Sequence, residues 1–409
     1  MKMYHYLFIA VLTIHLLYDL ILSILAASQR GKPLPAEVSD IYDADEYARW
    51  LDYSAEKRTV GVIERVFDFA VLCGLFGTNV LSKVHAGLPG GEIVKSLLLL
   101  LLFTALTSIL SVPFDWIRSI RIEGKYGFNK STAGTFLRDE ITDFLVNLVL
   151  NALFYFCVAF VYGRFGVRGF WIVFLALSAF VLVISMLATT FQRLYNKFTV
   201  LEDGELRDGL TALFRASGYE LENIYVMDAS RRTTKVNAFC SRLGRFKKIV
   251  LYDNLVNGYT PREITAVFAH ELGHYKRRDT LKSTAYSILL MAAVTGLIVW
   301  FAATPALSVE YGFDGVSVIF GLLAMQAVIL GPVTAVLMIP RAAMARAFEY
   351  KADTNAAEAG YGEELISALK KLSKDNFSDL NPHPVIVALE YDHPTTAERI
   401  RAIRRREGA

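Results

Sequence analysis

Hydrophobic positions along this 409-residue chain gather in long runs instead of alternating with polar ones. Six runs come close to the ~20 apolar residues that a helix needs to cross a bilayer. They cover 4–27, 93–112, 141–162, 170–190, 286–303 and 316–339. A seventh, weaker run at 60–80 carries Glu64, Arg65 and Asp68, which cannot face lipid cheaply. We predict that it spans the membrane with these charges turned toward a protein or water-filled interior; a soluble amphipathic helix is the alternative.

Composition agrees with this pattern. Hydrophobic residues make up 54% of the chain and the mean hydropathy is +0.37, both high for a soluble protein. Only Lys2 precedes the first run, which is longer than the apolar core of a secretory signal peptide, so we expect it to be retained. The sequence therefore predicts an all-α integral membrane protein with about seven transmembrane helices.

The distribution of cations predicts the orientation in the membrane. With seven spans, the loops 28–59, 117–140 and 191–280 share one side with the C-terminal tail and hold most of the lysine and arginine. The positive-inside rule makes that side cytoplasmic, in a bacterial inner membrane or in the endoplasmic reticulum. The basic tail 399–406 is explained by this topology or by anionic lipid head groups, so we predict no nucleic-acid partner.

Two regions follow from the pattern. Residues 1–190 form an N-terminal membrane region of about five spans. Residues 191–409 form a catalytic region with two further spans near 281–303 and 316–339 and a cytoplasmic tail. Ahead of these spans, 237–240 and 247–252 favour short strands around a turn, which predicts a small β-hairpin with an exposed edge.

The main chemical signal is the H-E-x-x-H sequence from His270 to His274. On a helix, positions i and i+4 share a face, so both imidazoles can bind one Zn²⁺ ion. Glu271 would then lie beside the open position of the metal and act as general base for attack by zinc-bound water. Thr260 before Pro261 is typical of a helix start, and the cluster 276–278 suits its end.

Glu349 is the candidate for the third zinc ligand. Asp353 follows it at i+4 and can accept a hydrogen bond from a ligand imidazole. A solvated acidic helix face is the alternative interpretation, because Arg346 and Lys351 are nearby. The H-E-x-x-H sequence in the same chain favours the ligand interpretation.

Beyond these motifs, five blocks in order resemble the type I CAAX prenyl proteases, the Ste24 family of integral-membrane zinc metalloproteases. The blocks are 123–132 (E-x-K-Y-G-F-N-x-x-T), 235–239 with 248–253, the zinc helix itself, 348–353 (F-E-Y-x-A-D) and 393–399 (H-P-x-x-x-E-R). The resemblance implies seven helices around a large water-filled chamber, with the zinc site facing inward. It also implies endoproteolysis near the C-terminus of prenylated CAAX proteins, with wider activity on membrane-associated peptides.

The resemblance assigns further residues. His393 and Arg399 are expected on the substrate side of the zinc site, beside the oxyanion of the tetrahedral intermediate. Alternatively, His393 only caps the last helix and Arg399 only binds a lipid phosphate or a neighbouring acid. The substrate is expected to pair its backbone with an edge strand at Asn237 and Ala238, although Asn237 could instead be a turn residue.

Other classes of protein remain as alternatives. An HtpX-like quality-control metalloprotease would lack the long five-span leader, and a site-2-type protease would carry H-E-x-x-H inside a span. A transporter with an incidental zinc site would keep its function without Glu271. A catalytically dead scaffold is disfavoured by the intact motifs.

Overall fold

A computed structural model describes residues 2–129, 132–179, 182, 197–228, 230, 238–240 and 246–407. These residues are mostly helical and form two compact units, each built from three segments. Unit 1 comprises Met1–Ile24, Tyr53–Phe180 and Ser287–Leu337, and unit 2 comprises Leu25–Asp52, Val181–Tyr286 and Met338–Ala409. The boundary at residue 190 between an N-terminal membrane region and a catalytic region stays a prediction.

The main α-helices of the described residues are numbered in chain order. They are α1 (Met3–Ala27), α2 (Ala44–Phe76), α3 (Val80–Gly87), α4 (Glu92–Trp116), α5 (Ala133–Phe165), α6 (Glu205–Ala216), α7 (Asp253–Gly258), α8 (Pro261–Lys276), α9 (Asp279–Ala302), α10 (Pro305–Glu310), α11 (Val318–Ala324), α12 (Leu330–Glu358), α13 (Gly362–Asp375), α14 (Pro384–Glu390) and α15 (Thr396–Glu407). A π-helical turn extends α4, and another joins α11 to α12.

Five helical stretches of the described residues are long and apolar enough to cross a membrane. They are Met3–Ala27, Glu92–Lys125, Ala133–Ala179, Asp279–Phe301 and Val318–Glu358. The predicted runs 4–27, 93–112 and 141–162 lie wholly within them, and 286–303 and 316–339 lie mostly within them. Helix α2 is too polar to be counted, so the seventh span stays a prediction. About half of the predicted run 170–190 lies outside the described residues.

The stretch Ala133–Ala179 is interrupted after α5. Gly166 there has a φ of 59°, in the left-handed region that favours glycine. A Cβ atom on Gly169 would lie 2.8 Å from the carbonyl oxygen of Val161, so the chain after the turn returns beside the end of α5. The interruption falls between the two predicted runs of this region and separates them.

A four-stranded sheet lies in the described part of unit 2. Its strands are β1 (Phe198–Val200), β2 (Glu220–Met227), β3 (Ala238–Cys240) and β4 (Phe246–Tyr252), in the order β1-β2-β4-β3. The predicted pair is present as antiparallel β3 and β4, and β3 is an edge strand. The sequence analysis missed β1 and β2. The all-α fold class therefore needs this correction: β2 runs parallel to β4, a long-range pairing that no local pattern shows.

Helix α8 crosses the core of unit 2. Ile264, Phe268 and Leu272, spaced at i, i+4 and i+8, are almost fully buried and share one hydrophobic cluster with Ile249 and Leu251 of β4. This packing leaves the opposite face of α8 for its polar residues.

The connection between α1 and α2 and the first turns of α2 belong to the same core; we call residues 28–52 the N-terminal strap. Val38, Ile41, Tyr42 and Trp50 are buried in the cluster that contains α8 and α13. The Tyr42 hydroxyl lies 3.1 Å from the carbonyl oxygen of Ser373. The strap, whose role the sequence left open, is thus a structural part of unit 2.

Two ion pairs attach the strap to α13, and an indole hydrogen bond attaches it to Phe377. Lys370 Nζ lies 2.6 Å from an Asp40 carboxylate oxygen, and a second lysine of α13 pairs with Glu46. Trp50 Nε1 donates to the carbonyl oxygen of Phe377 at 3.1 Å. Because the ion pairs are partly exposed, the buried aromatic residues supply most of the stabilisation.

Trp50→Ala tests the strap. We expect the variant to lose about 3–5 kcal/mol of stability, since it removes a large buried ring and leaves a carbonyl without its donor. Thermal unfolding of purified full-length protein measures the change. Trp300→Ala is the matched control, because that ring is 59% exposed. Equal melting temperatures for the two variants would contradict a structural role of the strap.

Candidate metal centre

The candidate site begins with the start of α8. Thr260 Oγ1 accepts a hydrogen bond from the Glu263 N–H at 3.2 Å, and the Glu263 carboxylate accepts from the Thr260 N–H at 2.8 Å. This is the predicted capping box. Burial opposes ionisation of Glu263, but Lys371 and Ser367 bond its carboxylate and, with Thr260, lower its pKa. The first turn of the helix is therefore fixed by local bonds and by an ion pair between the buried Glu263 and the partly exposed Lys371.

Two histidines of α8 and one glutamate of α12 converge. His270 Nε2 and His274 Nε2 are 3.1 Å apart, and the Glu349 carboxylate oxygens lie 3.2 Å from His274 Nε2 and 3.6 Å from His270 Nε2. Tetrahedral ligands about 2.0–2.1 Å from a zinc ion would be about 3.3–3.4 Å from one another. One ligand atom from each of the three residues lies within 4.8 Å of the other two, so all three residues can bind one metal ion within this triangle of atoms.

Hydrogen bonds behind the imidazoles determine which nitrogen faces this triangle. His270 Nδ1 lies 2.8 Å from Asp353 Oδ1, and His274 Nδ1 lies 3.2 Å from Asp279 Oδ2. An ionised carboxylate can only accept, so in the neutral imidazole that binds a metal each Nδ1 carries the proton and each Nε2 presents a lone pair. In addition, Glu349 Oε2 is buried with no hydrogen-bond partner among the described residues. Converging acceptors without a proton between them fit a cation, and two imidazoles with a carboxylate suit zinc.

Arg399 joins the site from α15. Its Nε and Nη2 atoms donate to the two oxygens of Asp353 at 2.9 and 2.6 Å, and its Nη1 lies 3.3 Å from Glu349 Oε2. Burial disfavours the charged guanidinium, but the Asp353 and Glu349 carboxylates outweigh it and raise the pKa of Arg399. The last helix of the chain thus supplies the counter-charge for the buried acids.

His393 and Glu271 are also at the site. His393 Nε2 lies 3.5 Å from Glu349 Oε1 on a side chain that is 60% exposed, and its Nδ1 bonds Asp392 at 2.8 Å. Glu271 is half-buried on α8, next to His270. The structure thus brings His393, Glu271 and the metal-ligand candidates together. Their catalytic roles stay predictions.

The predicted substrate strand is described only in part. Ala238 lies in β3, opposite Leu251 of β4. Asn237 lies outside the described residues. Contact of either residue with substrate stays a prediction.

The sequence analysis missed three residues. Asp279 holds His274 as described above. Asn355 Nδ2 donates to the carbonyl oxygen of Ala269 at 2.6 Å and ties α12 to α8. A Cβ atom on Gly273 would lie 2.8 Å from the Cα atom of Ala352, so only glycine lets these two helices approach so closely. The acid at the start of α9 and the glycine inside H-E-x-x-H were the available signals.

Comparison with known proteins agrees with the geometry. The family model of the CAAX prenyl protease N-terminal region, five membrane helices, matches residues 23–197. The model of peptidase family M48 matches residues 200–407. The fold and the site define an integral multi-pass membrane metalloprotease. The chain belongs to peptidase family M48, in the CAAX prenyl protease type that the sequence blocks resemble.

Individual relatives match over most of their length. A CAAX prenyl protease 1 homolog of Arabidopsis thaliana is 33% identical over 387 residues, covering 90% of each chain. CAAX prenyl protease 1 of Saccharomyces cerevisiae is 27% identical, covering 90% of this chain and 88% of its own. The crystal structure of S. mikatae Ste24p superimposes with a TM-score of 0.87 at 24% identity, covering 98% of this chain and 99% of that one. The last comparison shows the same fold.

Glu349→Ala tests the third ligand. We expect the purified variant to lose its metal, because two imidazoles without the carboxylate leave the site incomplete and place Arg399 beside an uncompensated cation. Metal analysis of the purified protein is the measurement. Glu358→Ala, an exposed acid on the same helix, is the control and should keep full occupancy. Full occupancy in Glu349→Ala would remove Glu349 from the ligand set.

Proposed function

We propose that this protein is a zinc endopeptidase that cleaves near the C-terminus of CAAX-type proteins, prenylated ones included, and of other membrane-associated peptides. One observation carries the proposal: two imidazole nitrogens and a carboxylate converge beside Glu271 in a membrane metalloprotease. The names of the relatives support the CAAX substrate. The match to the five-helix N-terminal region favours this function over an HtpX-like quality-control protease.

His270, His274 and Glu349 would hold the zinc ion. When bound, zinc lowers the pKa of a water molecule toward ~7 and polarises the scissile carbonyl. Glu271 follows the first ligand directly, where it takes the proton of the attacking water and later delivers it to the leaving amine. Asp353 keeps the proton of His270 on Nδ1 and thereby keeps Nε2 available as a ligand.

His393 would stabilise the developing oxyanion. Its ring is more than half exposed and lies near a Glu349 oxygen, so it can reach a substrate at the open side of the site. Arg399 was predicted for the same task. Its three nitrogens contact Asp353 and Glu349, so we propose that it also supports the charge of the ligand set.

The substrate backbone would add to the sheet beside β3. An edge strand offers unpaired N–H and C=O groups, and an extended peptide can bond them without any particular side chain. Such binding at Asn237 and Ala238 would suit a protease that accepts several membrane-associated substrates. Specificity would then depend on the substrate's C-terminal group.

Paired charges in unit 1 support the proposed chamber of seven helices. Glu64 of α2 accepts from Arg118 at 2.8 Å, and Arg118 also bonds Asp115 at 2.8 Å. Arg65 lies 3.4 Å from Asp19 of α1. Helices that carry such pairs can line a polar interior while their apolar faces meet lipid. We propose that the catalytic side is cytoplasmic, as the cation distribution predicts.

A peptide assay tests the function. Purified protein is incubated with a farnesylated CAAX peptide and with the same peptide unprenylated, with and without a zinc chelator, and products are identified by mass spectrometry. We expect C-terminal cleavage that the chelator abolishes. Glu271→Gln should keep its metal and lose at least the ~10²–10⁴-fold that general acid–base catalysis supplies.

Three outcomes would count against the proposal. Turnover of Glu271→Gln within tenfold of the parent would remove its catalytic role. An empty site in that variant would make Glu271 a ligand instead. Chelator-sensitive cleavage of other membrane peptides, with both CAAX peptides intact, would favour a quality-control protease.

His393→Ala separates transition-state stabilisation from a capping role. If His393 contacts the oxyanion, the variant keeps its zinc and its melting temperature while kcat and kcat/KM fall together by about 10²–10³. Steady-state kinetics and thermal unfolding measure these quantities. His383→Ala is the control, because His383 caps α14 through a bond to the Val385 N–H. Early melting with normal turnover in His393→Ala would support the capping role.

A further inference from the structure

Asp279 is a buried acid that the proposed mechanism does not use. It is the first residue of α9, directly after the turn that follows the zinc helix, and it is 3% exposed. Its Oδ2 atom lies 3.2 Å from His274 Nδ1. Burying a carboxylate is costly unless it is paired, so the position requires a partner that repays the cost.

Lys282 does not supply enough compensation. Its Nζ atom lies 3.4 Å from Asp279 Oδ1, but the lysine side chain is 51% exposed. Because the lysine end of this pair is half-exposed and makes one long contact, water screens the attraction and it compensates the buried carboxylate only in part. The start of α9 also favours an acid, yet an exposed acid would satisfy that preference equally well. Only the contact with His274 requires a buried acid at this position.

The two metal-binding histidines are held differently. His270 is 8% exposed and bonds Asp353. Arg399 in turn donates to both carboxylate oxygens of Asp353. His274 is 21% exposed and is bonded from behind only by Asp279 among the described residues. Because packing restrains His274 less, its ring orientation and its proton position depend more on that one bond.

The turn between the helices directs Asp279 back to the site. Arg278 has a φ of 55°, a left-handed conformation that is strained for a non-glycine residue. The Arg278 N–H bonds the carbonyl oxygen of Tyr275 at 3.0 Å and closes the turn. The same turn that ends α8 thus places the first side chain of α9 behind the second histidine.

We propose that Asp279 is a positioning residue for the metal site: it fixes the proton of His274 on Nδ1 and holds Nε2 toward the metal. The proposal rests on the metal site of the proposed function. Asp279 acts through His274 and touches no substrate. The first residue of α9, a helix long and apolar enough to span the membrane, thus helps to orient a histidine of the metal site.

Metal affinity tests the proposal without an activity assay. Zinc affinity is measured by chelator competition on purified full-length Asp279→Ala, Asp279→Asn and Lys282→Met, with melting temperatures of the metal-free proteins. We expect about 10–100-fold weaker binding in Asp279→Ala. Asp279→Asn keeps an acceptor oxygen of the same shape and should recover part of the loss. Lys282→Met should bind within about twofold of the parent.

A spectroscopic signature completes the test. Cobalt-substituted Asp279→Ala should show shifted visible bands because the His274 ring is no longer fixed, whereas Lys282→Met should match the parent. Parental affinity and spectra in Asp279→Ala would overturn the proposal, as would equal losses in Asp279→Ala and Lys282→Met. If Asp279→Ala does not fold, Asp279→Leu, which has a similar size and no acceptor, takes its place, and parental affinity in that variant with a lowered melting temperature would assign Asp279 a purely structural role. A parent protein that binds no metal would overturn the proposed function together with this inference.

Discussion

The carboxylate of Asp353 is the group on which the site depends. It is 1% exposed and lies between the imidazole of His270 and the guanidinium of Arg399. A buried charge is tolerated only where it is neutralised and hydrogen-bonded, so both partners must be in place for unit 2 to fold in this way. The acid therefore fixes the tautomer of a candidate metal ligand and, at the same time, requires helix α15.

This requirement extends through the packing of unit 2. Helix α15 is held by Ile400 and Ile403, which are buried in the same cluster as α8. Its first residue, Thr396, bonds Ser373 of α13 through their hydroxyls at 2.8 Å. The Ser373 carbonyl in turn accepts from Tyr42 of the N-terminal strap. A continuous set of contacts thus joins residues near the start of the chain to the helix that supplies Arg399, and this explains why unit 2 is discontinuous in sequence.

Unit 1 must also pair its ionisable groups, although the surroundings of its helices are lipid. Its apolar helices can face lipid, but each ionisable group on them needs a partner. His5 of α1 is buried, with Nδ1 3.0 Å from Glu310 and Nε2 2.9 Å from Asn79, and it stacks on Tyr311. Together with the pairs of Glu64 and Arg65, this network shows that several polar and ionisable groups in the helices of unit 1 have partners within the protein.

Short-range signals determined what the sequence alone could predict. The helix from Pro261 to Lys276 was predicted because its cap, its apolar face and its two histidines lie within one local pattern. Glu349 and Asp353 were predicted to act at one site because they are spaced at i and i+4, which is also a local pattern. The membrane runs followed from length and composition alone, except in 60–80, where charges obscure the pattern.

The tertiary structure decided the contacts between distant segments. The parallel pairing of β2 with β4, the contact of the strap with α13 and the bonds of Arg399 to Asp353 join residues that are far apart in sequence. The bond of Asp279 to His274 spans only five residues, but it depends on the left-handed turn at Arg278, which no periodicity predicts. For these groups a sequence shows only that an acid or an aromatic residue is present. The sequence does not show whether such a residue is exposed or buried. A buried acid must be paired because its desolvation is costly, and only the folded chain shows which partner is near.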